Sequence, residues 1–123
     1  MKTTDLKERT MVFSIRIINL IDNLPETKVV NVIAGQILRS ASSVGANYRA
    51  ARRSKSLKDF IHKLKIVEEE ADETLYWLEL LDKRNIGPKE EIKSLITETN
   101  ELLGIFVTSI NTSRAKLSAQ NQK

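Results

Sequence analysis

Two prolines and four glycines are the only strong helix breakers in 123 residues. Between them apolar side chains recur at intervals of three and four, the spacing that puts them on one face of a helix. Pro25 disfavours helical backbone at Leu24 and closes a first segment. The Gly87-Pro88 pair separates two later ones. The remaining break is "RRSKS", where Ser54 or Ser56 can cap a new helix. The chain therefore divides into helices at about 5–23, 26–53, 56–84 and 89–116, with a polar tail over 118–123 that is expected to fray.

The second segment carries Val30, Ile33, Ile37, Ala41, Val44, Tyr48 and Ala51 in one row. The third carries Leu57, Phe60, Leu64, Val67, Ala71, Thr74, Leu78 and Leu81, with one polar member. The fourth offers Ile92, Leu95, Ile96, Leu102, Leu103, Phe106, Ile110 and Leu117. No segment alternates with period two, so strands are not expected. Four long helices with short connections imply an all-α chain, a single domain over 1–123 folded as an antiparallel up-and-down four-helix bundle.

The first segment departs from a single stripe. At 100° per residue, Met11, Ile15 and Ile18 lie on one side, while Phe13, Ile17, Leu20 and Leu24 lie nearly opposite. A surface helix of a monomeric bundle needs one apolar stripe. Two imply that one face enters the bundle and the other meets a second subunit. A homo-oligomer is the expectation, with Met11, Phe13, Ile15, Ile17 and Ile18 as candidate interface residues.

At 41% hydrophobic and 29% charged residues, the composition is that of an ordinary globular protein. The absence of cysteine excludes disulfides and thiolate metal sites. "MVFSIRIINLI" is too short and too polar to span a membrane. The amino-terminal "MKTTDLKERT" lacks the basic start and apolar stretch of a signal peptide, so a cytoplasmic setting without membrane contact is expected.

Charge is segregated. Arg49 to Lys65 holds seven Lys or Arg against the single acid Asp59, whereas Ile66 to Asp82 holds seven acids and no Lys or Arg. A hairpin turning near residue 55 would gather the basic residues at its tip and lay the acids beside the first half of helix 2. With a net charge of +4, the basic group favours a phosphate-bearing partner, RNA or DNA. Arg39, Arg49, Arg52, Arg53, Lys55 and Lys58 are the candidate contacts. The competing reading is a structural or protein-interaction scaffold in which arginines pair the acids of a neighbouring subunit.

Chemical sites are not expected. Gly35 and Gly45 do not fit the spacing of a phosphate-binding loop, and no strand precedes them for a dinucleotide fold. The small residues around Gly45 are better explained by close helix packing. Asp59-x-x-His62 covers half of a di-iron motif whose second half is missing. Glu68, Glu69 and Glu70 are consecutive and point about 100° apart on a helix, so they do not converge. No cofactor, metal or catalytic residue is expected, and the chain reads as non-enzymatic. Tyr76 and Trp77 read as core or interface packing.

The run Gln36–Leu81, "QILRSASSVGANYRAARRSKSLKDFIHKLKIVEEEADETLYWLELL", resembles the signature of the bacterial four-helix bundle family, also called the 23S rRNA intervening-sequence protein family. The upstream "RIINLIDNLP" is similar to that family's first helix and proline turn. Matching elements include Gln36, Arg39-Ser40, Ser43-Val44, Asn47, Arg49, Arg52, Ser54, Asp59-Phe60, Lys63-Leu64, Glu69-Glu70 and Glu73. Where many members carry Glu-Gly, this chain reads Ala50-Ala51-Arg52. The resemblance implies an up-and-down bundle that assembles into a ring, typically a pentamer. It also implies kinship with the accessory protein of diversity-generating retroelements, a basic pentamer that binds nucleic acid and a reverse transcriptase.

Overall fold

The computed structural model describes residues 5–122. Four helices follow in chain order: α1 (Leu6–Asp22), α2 (Lys28–Arg52), α3 (Leu57–Lys83) and α4 (Lys89–Asn121). Consecutive helices pack together and α1 closes onto α4, while the backbones of the diagonal pairs α1–α3 and α2–α4 stay apart and meet only through core side chains such as Tyr48 and Phe106. The cross-links run antiparallel. Arg9 bonds Glu98 on α4 and Arg16 bonds Glu91, so partner numbers fall as α1 rises. The expected up-and-down bundle is the observed architecture.

Three of the four helix starts have a side-chain cap, and α4 begins after Pro88 without one. The Asp5 carboxylate accepts from the Lys7 amide at 3.1 Å, Thr27 caps α2 through the Val30 amide at 3.1 Å, and Ser56 caps α3 through Asp59 at 3.0 Å. Of the two serines in "RRSKS", Ser56 is thus the cap. Such caps satisfy amides that the helix leaves without partners and contribute about 1 kcal/mol each. Because Thr27 is extended, α2 begins two residues later than the proline alone suggested.

The rows read from sequence form one core, except at their ends, where Leu57 and Leu117 are only half-buried and lie outside it. On α2 all of Val30, Ile33, Ile37, Ala41, Val44, Tyr48 and Ala51 are buried, against Leu64, Val67, Ala71, Leu78 and Leu81 of α3 and Leu95, Leu102, Phe106 and Ile110 of α4. Buried hydroxyls pair within it: Thr74 donates to Ser40 at 2.8 Å across the α2–α3 seam, and Thr99 donates to its own helix at Leu95. Gly45 is buried against α1, where an added Cβ would stand 3.4 Å from Thr10 Oγ1, in keeping with close packing.

Two expectations are corrected. Phe13 and Ile17 are 1% and 0% exposed inside this core, so they are not available to another subunit. Their 4-3-4 row with Leu20 and Leu24 is the bundle-facing stripe of α1. The tail does not fray at 118. Helix α4 continues to Asn121, because Ser118, Ala119 and Gln120 are polar or small but none breaks a helix. Lys123 lies outside the described residues. No described helix is long and apolar enough to cross a membrane.

The α3–α4 turn shows why Gly87 is glycine. Asn85 adopts positive φ, and the Ile86 and Asn85 amides bond Leu81 and Asp82 carbonyls, the pattern of a left-handed helix end. Gly87 follows at φ +87, and an added Cβ would come within 2.5 Å of Leu24 Cδ2 from the α1–α2 connection. Gly87→Ala is expected to destabilise the fold by about 1–3 kcal/mol, seen as a lower midpoint in urea denaturation with unchanged helicity. Unaltered stability would contradict this account of the turn.

Candidate functional site

Antiparallel topology brings the start of α1, the end of α2, the start of α3 and the end of α4 to one end of the bundle. The cations predicted there converge. Arg49, Arg52 and Arg53 share a recess of ≈330 Å³ with Asp5 and Lys7. Around the corner a shallower surface joins Arg52 and Lys55 to Lys116 of α4. Lys58 stands exposed on the first turn of α3. Lys7 and Lys116 were missed by reading the chain linearly, although the up-and-down topology alone would have placed both.

These cations differ in how they are held. Arg52 donates to the Tyr48 hydroxyl at 3.4 Å, and that bond is the first cause of its raised pKa. Tyr48 is buried beside Phe106 with ring centroids 6.2 Å apart, so Arg52 is anchored through the core. Arg49, Arg53, Lys55, Lys58, Arg114 and Lys116 are exposed and form no ion pair among the described residues. The nearest acid of α3, Asp59, is taken by Lys63 at 2.9 Å. That bond is the main reason its pKa lies below the usual carboxylate range.

Along the body of the bundle the opposite holds: cations are consumed by neighbouring helices. Arg9 forks onto Glu98 at 2.8 and 2.7 Å and reaches Glu101 at 3.0 Å. Arg16 binds Glu91, and Lys93 lies 3.8 Å from Asp82. Arg39 belongs with these. Its guanidinium bonds Glu70 at 2.9 Å and also Glu73, and ten residues of helix place it about 15 Å from Arg49. It therefore does not join the basic end. The signal was present in the sequence: a hairpin turning at residue 55 sets position 39 opposite the acids near 71.

His62 is exposed on α3, and no group of three or more His, Asp or Glu among the described residues is arranged to hold a metal. A recess of ≈620 Å³ at the other end is lined by Arg16 and Glu91, the partners of an ion pair. Of the interface candidates, Met11, Ile15 and Ile18 are 51%, 49% and 47% exposed, an unpartnered apolar face on α1.

Residues 2–107 match the family model described as 23S rRNA-intervening sequence protein. Among solved structures, the chain is similar to a protein of unknown function from the S23 ribosomal protein family of Bacteroides thetaiotaomicron. The two are 38% identical, the match covers 85% of this chain and 96% of that one, and the TM-score is 0.75. No curated protein matches. Arg114 and Lys116 lie past the family match, on the last turns of α4.

The Arg39 cluster gives a pH prediction. Hydrogen bonding from Arg39, with a smaller part from the Trp77 ring N–H at 3.3 Å, holds the Glu73 carboxyl below its ordinary 4.5. A depressed carboxylate stabilises the fold fully above its unfolded pKa and loses that contribution as pH falls through the folded value. Arg39→Met is expected to lower stability near neutrality, and the gap from the parent should narrow as pH drops below 4.5. Urea unfolding across a pH series reads this, and a gap that widens on acidification would refute it.

Proposed function

The chain belongs to the 23S rRNA-intervening sequence protein family, and we propose that it is an oligomeric module that binds nucleic acid through the basic end of its bundle, with no catalytic role of its own. The observation that carries this reading is the contrast between paired and unpaired cations. Arginines along the body are neutralised by acids of adjacent helices, whereas Arg49, Arg53, Lys55, Lys58, Arg114 and Lys116 project without partners among the described residues. Lys28, Lys83, Arg84 and Lys89 at the opposite end are also exposed without an ion pair among the described residues, but Asp22, Glu26, Asp82, Glu90 and Glu91 share that end. A cluster in which cations outnumber acids is the footprint of a phosphate-bearing partner, since each phosphate neutralised releases counterions. The family's name, which refers to an insertion within ribosomal RNA, points to RNA as the first ligand to try.

A handful of exposed cations supplies only a weak, salt-sensitive contact. Several copies presented together gain by avidity without any new contact. The exposed apolar row Met11, Ile15 and Ile18 supports assembly of identical chains, and kinship with ring-forming relatives makes a pentamer the expected stoichiometry. A retroelement-type arrangement would add a reverse transcriptase or another protein to the ring. A scaffold without nucleic acid accounts for the apolar row but leaves the basic end without a purpose.

Retardation of single-stranded and duplex RNA and DNA across a salt series tests the reading. Binding is expected to weaken linearly on a log–log salt plot. The combined change Arg53→Ala, Lys55→Ala and Lys58→Ala should lower that slope by about 2–3, at roughly 0.7–0.9 per phosphate contact. Arg39→Ala should leave the slope unchanged. Absence of binding at low salt, or binding indifferent to salt, would reject the proposal.

A further inference from the structure

Two surfaces on different sides of the bundle complement one another. The first is a groove of ≈240 Å³ between α1 and α2, with Met11, Ser42, Gly45 and Ala46 along it and Lys7 and Arg49 at one mouth. Its depth comes from residues without large side chains: Gly45 packs on Thr10, and Ala46 adds only a methyl group. Leu38, at 42% exposure, continues the apolar strip on α2, as Ile15 and Ile18 do on α1.

The second surface is the outer stripe of α3, where Glu69, Asp72, Tyr76 and Glu79 recur at intervals of 3, 4 and 3 and so share one face. Tyr76 is 61% exposed, unusual for so large a ring. It stands edge-on to Trp77 with centroids 5.1 Å apart. Trp77 in turn donates to Glu73, which Arg39 holds. The ring is thus braced from behind by a chain of contacts reaching α2, which lowers the ordering cost of using it in a contact. Glu69, Asp72 and Glu79 are exposed and pair with no described residue, as is also true of Lys7 and Arg49. The backbones of α3 and α1 lie diagonally across the bundle without close approach, so the stripe and the groove face different neighbours.

We infer that the α3 stripe of one copy docks on the α1–α2 groove of the next, with Tyr76 seated along Met11 and Ala46 and the flanking acids facing Lys7 and Arg49. This rests on the oligomeric part of the function proposed above and names its contact. Sign and shape both match. An aromatic side chain covers 150–250 Å² when buried, and an acidic rim meets a basic mouth. Because groove and stripe are different patches, the contact is head-to-tail, and repetition closes into a ring when the rotation per step allows. It assigns Lys7 and Arg49 chiefly to assembly and leaves Arg53, Lys55, Lys58 and Lys116 at the end for nucleic acid.

Head-to-tail contacts permit a mixing test by light scattering at micromolar concentration, with circular dichroism confirming helicity. Ala46→Glu blocks the groove and leaves the stripe. Tyr76→Ala removes the ring and leaves the groove. Each alone is expected to run at the mass of one chain, and an equimolar mixture should form a two-chain species, since one intact groove and one intact stripe remain. Asp72→Arg, which removes no packed ring, should disperse the assembly as Tyr76→Ala does. Variants that keep the parent mass, or a mixture that stays single-chain, overturn this contact while leaving oligomerisation itself standing. A parent chain that is itself monomeric overturns both.

Discussion

The unbroken apolar row of α2 is what the remainder of the bundle is arranged around. From Val30 to Ala51 every third or fourth side chain is buried, and α2 packs against both α1 and α3. Removing such a row from water stabilises by roughly 25 cal/mol for each Å² of apolar surface, far more than surface ion pairs supply. It therefore fixes register, and register decides which charges meet. The Arg39 contacts with Glu70 and Glu73, and the Ser40–Thr74 hydrogen bond one residue along, follow from that alignment.

Register also explains why charge plays two roles in one small chain. Beside the core, long side chains of adjacent helices lie within reach and neutralise one another. Past the last buried layer, helices end and the connection turns, so cations there find few acids across a seam. The same positive residue type is thus structural at position 39 and available at position 53. Composition cannot separate the two; position along the bundle axis does.

Much of this was legible because α2 and α3 obey their periods almost without exception. Reading was harder where chemistry and packing disagree. Thr99 and Ser113 are buried positions of α4 occupied by polar residues, and Thr99 is satisfied by its own helix, so the core row there looks interrupted in sequence and is continuous in space. Phe13 and Ile17 were grouped with Met11, Ile15 and Ile18 because all five are apolar; burial divides them into the two faces that the wheel had separated. The end of α4 was misjudged by equating polarity with disorder, whereas a helix ends where the backbone is obstructed. Lys7 and Lys116 are remote from the basic run in sequence and adjacent to it only after the chain has folded back three times.

The Leu24–Gly87 contact ties together the two connections at the end opposite the Arg49–Arg53 recess. There a side chain at position 87 has no room, and backbone, loop and core are mutually committed. The connection between α2 and α3 is built otherwise: Ser56 holds the cap, while Arg53, Lys55 and Lys58 point into solvent. Variation is accordingly tolerated very unevenly along the axis. One pole is closed to change by steric necessity, and at the other, Arg52 apart, exposed charges such as Arg53, Lys55 and Lys58 can be exchanged without disturbing a buried contact. Lineages sharing this bundle could diverge in what they bind while inheriting the same folding problem already solved.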